Sequence, residues 1–300
     1  ELRSRLQFKP SAEATHAAGL GAKSAVINGA AQSAVQAAAQ RGGTGPTRPR
    51  TLKHAGAVDA AADLAESKVT GRIARKLTEF QIQRGGVDLG PLQLNAQGIG
   101  VLFPDSFGSR GLGSQCVARP GVRAVTVETR SEDLRQALAW LAATPGVDGA
   151  RVGLQAWSNG GTTALRALER MQDQPTQWVP LAGAALFYPR CTDALRRDAV
   201  LARAVPLLMQ LGALDDWTAP QPCEALARAQ ARQPRAQTIV HVYPDSYHGF
   251  DGTEAVRLRT DIRGGVNPAG VHQGGNPEAR AQALARLDAF WASTLRTTRP

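Results

Sequence analysis

The sequence predicts an α/β fold, a mostly parallel sheet with helices on both faces, preceded by an atypical or poorly ordered N-terminal segment. Three observations carry this. From Gly98 onward, short runs rich in β-branched and apolar residues alternate with helical patterns about 10 to 15 residues long. Each short run is nearly unbroken in apolarity, as expected of a strand covered on both faces. Residues before Leu94 lack both features and are rich in Ala, Gly, Arg, Thr and Gln. The expected organisation is therefore a segment 1–93 of uncertain structure and an α/β region 94–300.

Within 1–93 the Gly/Pro/Arg cluster Arg41 to Arg50 excludes a regular element. Leu64, Val69, Ile73 and Leu77 recur near helical spacing and predict a helix from about Ala57 to Phe80. Ser24 to Gln40 is a second helical candidate, with a stripe that is mostly alanine. In the later region the expected strands are Gly98 to Phe103, Arg151 to Ala156, Gly183 to Tyr188, Val205 to Leu211 and Thr238 to Tyr243. Between the first two, Leu134, Ala137, Leu138 and Leu141 mark one helix face, and Ser131, Glu132 and Asp133 suit its N-terminus. Thr162 to Met171 and the arginine-bearing stretch Ala194 to Arg203 also read as helical. Asn276-Pro277-Glu278 starts a last helix, with Leu284, Leu287, Phe290, Trp291 and Leu295 facing the core.

Composition narrows the function. A content of 43% apolar residues fits a globular chain rather than a disordered one. The longest apolar stretches, Trp178 to Tyr188 and Val205 to Leu214, hold about a dozen residues against the roughly 20 that span a bilayer. No apolar signal-peptide core follows the charged N-terminal residues, so no membrane partner is expected and the reading points to the cytoplasm. The net charge of +10 raises nucleic acid as a partner, but the segment before Leu94 holds 13 Lys and Arg against 7 Asp and Glu and thus most of the excess. Scattered arginines in the remainder look like a solvated face, which argues against nucleic acid. Cys116, Cys191 and Cys223 have no CxxC spacing and no neighbouring histidine, so neither zinc nor a redox pair is indicated. One disulfide plus a free thiol is open; buried free thiols are the reading adopted.

The sharpest chemical signal is Val152-Gly153-Leu154-Gln155-Ala156-Trp157-Ser158-Asn159-Gly160-Gly161, a strand running into a serine and two glycines at the mouth of a helix. A nucleophile elbow has this setting, and its strained turn needs small residues two before and two after the serine. Ala156 and Gly160 meet the need, although alanine stands where glycine is usual. A serine hydroxyl needs a base, and the base an orienting acid. Both follow in order: Asp215 and Asp216 after the strand Val205 to Leu211, and His248 after the strand Thr238 to Tyr243. Strand C-terminal ends are where open α/β sheets collect ligands. Only one of the two adjacent aspartates can face His248, and Asp215 is favoured. Ser, Asp, His is the chain order of α/β-hydrolases.

Residues from Leu94 onward resemble the dienelactone hydrolase family of α/β-hydrolases. The resemblance rests on Gly98 to Phe107, Trp157-Ser158-Asn159-Gly160-Gly161, Gly212 to Thr218, and Tyr247-His248-Gly249-Phe250-Asp251. It implies hydrolysis of lactones or carboxylic esters through an acyl-enzyme, with Ser158, Asp215 and His248 as the triad, a small-molecule substrate, and no metal or organic cofactor. The family's namesake carries cysteine at the nucleophile position; Ser158 here shifts the expectation towards general esterase chemistry. Arg110 and Trp217 flank the expected pocket and make an anionic or aromatic substrate conceivable.

The backbone N–H of Asn159 supplies one oxyanion-hole donor. Family members place a second donor in a His-Gly motif after an earlier strand. Here the early candidates, Arg41-Gly42-Gly43 and Arg84-Gly85-Gly86, lack the histidine and a strand before them. Losing one donor costs on the order of 100-fold or more in rate. An alternative is thus a catalytically impaired pseudo-hydrolase that serves as a binding module.

Overall fold

A computed structural model of the chain describes residues 23–28, 94, 99–112, 115, 118, 122–262 and 264–295, with the backbone alone for 23–28 and 109. Its core is a six-stranded, all-parallel sheet ordered β2-β1-β3-β4-β5-β6. The strands are β1 (Lys23–Asn28), β2 (Gly100–Leu102), β3 (Val147–Trp157), β4 (Gly183–Phe187), β5 (Leu207–Gly212) and β6 (Thr238–Tyr243). Helices α1 (Val127–Ala142), α2 (Asn159–Asp173), α3 (Thr192–Arg196) and α4 (Gln221–Gln230) intervene, and α5 (Pro277–Leu295) closes the described chain. A short antiparallel pair, β7 (Arg257–Arg259) with β8 (Val271–Gln273), stands apart from the sheet.

Alternation along the strands divides the core into two layers. Leu154, Ala156, Ala184, Leu186, Leu207, Met209 and Leu211 pack on the side of α1, α2 and α4. Trp157, Ala185, Phe187 and Leu208 pack on the side of α5, against Leu287, Phe290 and Trp291. A fully buried side chain of this size stabilises by about 1.5–3 kcal/mol. Trp291 also donates its indole N–H to Gln155 Oε1 at 3.0 Å, so its polar atom is satisfied in the interior.

The five expected strands are present within a few residues. α1 starts at Val127, earlier than Ser131, because the Thr126 side chain caps it by accepting from Thr129 N–H at 3.1 Å. α5 starts where expected, with Asn276 Oδ1 accepting from Glu278 and Ala279 N–H. The helix read from Ala194 to Arg203 ends at Arg196, where Asp198 turns to φ 49°.

Two expectations are overturned. Ser24 to Gln40 is not helical at its start: Lys23–Asn28 is a strand that pairs through Val26 with Val101 of β2 and with Gly153 of β3. A slot between two parallel strands satisfies both edges of the backbone, and Ala25-Val26-Ile27 fits such a site despite the alanine-rich context. An early strand therefore exists, and the sheet takes it from before Leu94. The helix expected from Ala57 to Phe80 lies outside the described residues. The second correction concerns sulfur: Cys191 and Cys223, read as buried free thiols, form a disulfide with Cα atoms 5.0 Å apart. It ties the loop after β4 to α4 across 32 residues. Closing a loop of that length is worth about 3–4 kcal/mol by chain entropy, and such bridges persist in oxidising compartments. Cys116 lies outside the described residues.

Candidate active site

The carboxyl ends of β3, β4, β5 and β6 bring the site together. β3 delivers Ser158, whose backbone sits at φ 50°, ψ −121° between strand and α2. Few residues other than glycine hold such a conformation without cost. Here Ser158 N–H donates to Phe187 O at 2.9 Å, and its carbonyl accepts from Thr162 N–H at 3.0 Å. Ala156 and Gly160 on either side are buried, in keeping with the demand for small residues at the turn.

β5 and β6 deliver Asp215 and His248. Their loops lie in contact: a Cβ at Gly212 would collide with the Ser246 carbonyl, and Leu214 N–H donates to that same carbonyl at 2.9 Å. His248 is 2% exposed, with Nε2 2.8 Å from Ser158 Oγ and Nδ1 2.8 Å from Asp215 Oδ2. A carboxylate only accepts, so Nδ1 carries the proton and Nε2 is left to accept from the serine hydroxyl. Asp215 Oδ1 accepts from the N–H groups of Trp217 (2.9 Å) and Thr218 (2.7 Å), and Thr218 Oγ1 donates to Oδ2 at 2.9 Å or to Tyr188 O at 3.0 Å. Burial by itself would raise the Asp215 carboxyl. The charge and hydrogen bond of His248, together with the Thr218 donors, outweigh it and hold the group below the usual carboxylate range.

All three residues expected to act in series are thus within hydrogen-bonding reach. Asp216 turns away and binds His272 instead, with Oδ2 2.7 Å from Nδ1 and Oδ1 accepting His272 N–H at 2.8 Å. Asn159 opens α2, and its side-chain Oδ1 accepts from Arg130, a buried guanidinium stacked 5.1 Å over the Phe107 ring. Trp217 lies against the His248 imidazole with centroids 4.5 Å apart. Both terminal nitrogens of Arg110, expected to flank the pocket, are 2.8 Å from the Asp133 carboxylate.

Several neighbours were not anticipated from the chain. Asp251 is buried and accepts from Trp157 Nε1 at 2.7 Å and from Tyr188 Oη at 2.6 Å, joining the residue before the serine to the ring that packs 4.4 Å from His248. Burial pushes its carboxyl up, against the opposing pull of the Tyr188 and Trp157 donors. Thr218 was signalled by Asp-Asp-Trp-Thr, since an aspartate that accepts from N–H groups two and three residues on is a common turn. Asp251 stood in the stretch Tyr247 to Asp251, yet neither it nor His272 carried a local sign of its partners, which lie far away in sequence. Among the described residues no group of three His, Cys, Asp or Glu is arranged to hold a metal ion, and no helix is long and apolar enough to cross a membrane.

The architecture is that of an α/β-hydrolase. Residues 95–293 match the sequence model of the dienelactone hydrolase family, and the chain belongs to that family. Its class is therefore a hydrolase of the dienelactone hydrolase type, which implies a small-molecule substrate. Among solved structures, a putative dienelactone hydrolase from Klebsiella pneumoniae is similar at 17% identity and TM-score 0.52, covering 91% of this chain and 88% of that one. Esterase 2 of Thermogutta terrifontis phosphoramylated by tabun is similar at 15% identity and TM-score 0.48, covering 95% and 85%. No curated protein sequence matches the chain.

Proposed function

We propose that this protein hydrolyses carboxylic esters or lactones through Ser158, His248 and Asp215 by way of an acyl-enzyme. The observation that carries the reading is the unbroken series of hydrogen bonds from Ser158 Oγ through the His248 ring to Asp215, beneath a serine held at positive φ. Ser158 Oγ attacks the carbonyl carbon while His248 Nε2 takes its proton. The tetrahedral adduct collapses, the ester's alkoxide leaves with that proton, and the acyl group stays on Ser158. Water then attacks the acyl carbon, losing its proton to Nε2, and Ser158 recovers the proton as the carboxylic acid departs. Asp215 keeps Nδ1 protonated throughout and stabilises the imidazolium that forms at each transfer.

For the oxyanion, the Asn159 N–H is the first donor, since the first N–H groups of a helix have no intrahelical partner. β1 runs beside the nucleophile strand, where this fold draws its second donor from the loop that follows. The residues that follow Asn28 lie outside the described residues.

Purified protein is expected to turn over short-chain p-nitrophenyl esters or simple lactones, and Ser158→Ala to lose that turnover while keeping its fold by circular dichroism. Unchanged turnover in the variant removes Ser158 from the chemistry and defeats the proposal.

A further inference from the structure

The second carboxylate at the end of β5 is occupied by a histidine too, and that pair sits at the base of a strap. Residues 264–274 cross the loop that bears Asp215 and Asp216 and return as β8. The acid loop holds this strap at three atoms of one residue: Asp216 O accepts Val266 N–H at 2.8 Å, Oδ1 accepts His272 N–H, and Oδ2 binds His272 Nδ1. Contact is close enough that a Cβ on Gly265 would lie 2.6 Å from Asp216 O. Arg190, from the loop after β4, adds a bond to Gly264 O at 2.7 Å.

The far side of the strap meets the catalytic histidine. Gln273, next to His272, forms a parallel bridge with His248, and Gly274 N–H donates to His248 O at 3.0 Å. The His272 ring also packs 4.8 Å from Tyr247, the residue preceding His248. Asp215 holds the His248 ring, whereas nothing on Asp215 fixes the main chain from which that ring projects. The strap does so, and Asp216 fixes the strap.

Resting on the triad reading, we infer that the Asp216–His272 pair is a positioning device for His248, anchoring β8 so that the main chain of His248 is fixed while Asp215 fixes its ring. A nitrogen acting as base must stay within hydrogen-bond reach of the serine proton, and a shift of about 1 Å can cost 100-fold. The pair itself does not touch substrate or move a proton in the reaction. Only its geometry is required, so any side chain at 272 that donates from the Nδ1 position to Asp216 should suffice.

The test is steady-state kinetics on p-nitrophenyl butyrate with melting temperatures measured alongside. His272→Leu is expected to lower kcat about 10- to 100-fold with KM within about twofold. His272→Asn, whose amide nitrogen overlays Nδ1, is expected to recover kcat to within a few fold of the parent. Asp216→Ala and the double variant Asp216→Ala/His272→Leu should match the single histidine change, because removing either end breaks the same link. Should His272→Leu not fold, Asp216→Ala carries the test from the other end. Parental kcat in the folded variants overturns the inference, as does a His272→Asn as slow as His272→Leu. Ser158→Ala, assayed beside them, separates the two levels: if it turns over substrate the triad reading has failed, and if it is dead while His272→Leu has parental kcat only the positioning role has failed.

Discussion

Asp215 and Asp216 are neighbours in the chain, and each binds a histidine Nδ1, at 2.8 and 2.7 Å. Their surroundings differ. The side chains of the first pair are 3% and 1% exposed, those of the second 34% and 19%. The other nitrogen of His248 meets Ser158 Oγ, while the His272 ring packs on Tyr247. The same two functional groups in the same contact are thus proposed to serve different ends, distinguished by burial and by what the second ring nitrogen faces. In the buried pair water screens little, so the carboxylate strongly stabilises an imidazolium that forms beside it. In the exposed pair the same charge is screened, and what remains is a tether.

The largest expected effect exploits that difference. Asp215→Asn leaves the shape but lets the amide donate to Nδ1, which puts the His248 proton on Nε2 and removes the acceptor for the serine hydroxyl. A fall in kcat of about 10,000-fold is expected. Asp216→Asn invites the same tautomer change at His272, where it is harmless because that Nε2 has no role in the proposed chemistry, and kcat should stay within a few fold. Comparing the two variants on one p-nitrophenyl ester checks both, and equal losses would show that the two pairs do not differ in role.

A third carboxyl extends the comparison with a smaller effect, on stability. Asp251 is buried, and its folded-state pKa is raised by that burial. A raised value means that its contribution is fully present below the unfolded pKa of about 4 and is lost as pH rises through the folded value. Asp215, lowered, does the reverse: its contribution is present above about pH 4 and is lost as pH falls through the folded value. Asp251→Asn keeps an acceptor for Trp157 and a donor for Tyr188 without the ionisable group. Its stability relative to the parent should therefore rise as pH increases above about 4, by at most about 1.4 kcal/mol per pH unit. Urea unfolding across that range reads it, and a flat difference would show that the group ionises alike in both states.

Much of this site was legible before any coordinates. Ser158, Asp215 and His248 each follow an apolar run whose end a parallel sheet must gather at one edge, so strand order and turn chemistry located them. β1 was missed because Lys23–Asn28 is short, sits in an alanine-rich context and is made a strand by neighbours on both sides, a tertiary effect that local propensity does not register. The same holds for the Cys191–Cys223 bridge and for Asp251 and His272, whose roles come from contacts across 32, 94 and 56 residues. Local patterns report elements and the loops that join them; they do not report which loop ends meet.

The most direct test of the account is reaction with a fluorophosphonate followed by mass spectrometry of the digested protein. A single adduct on the peptide bearing Ser158, absent when His248 is replaced by alanine, is the predicted result. Failure of Ser158 to label in folded parental protein, or labelling that persists at the same rate without His248, would contradict the claim that this imidazole activates this serine.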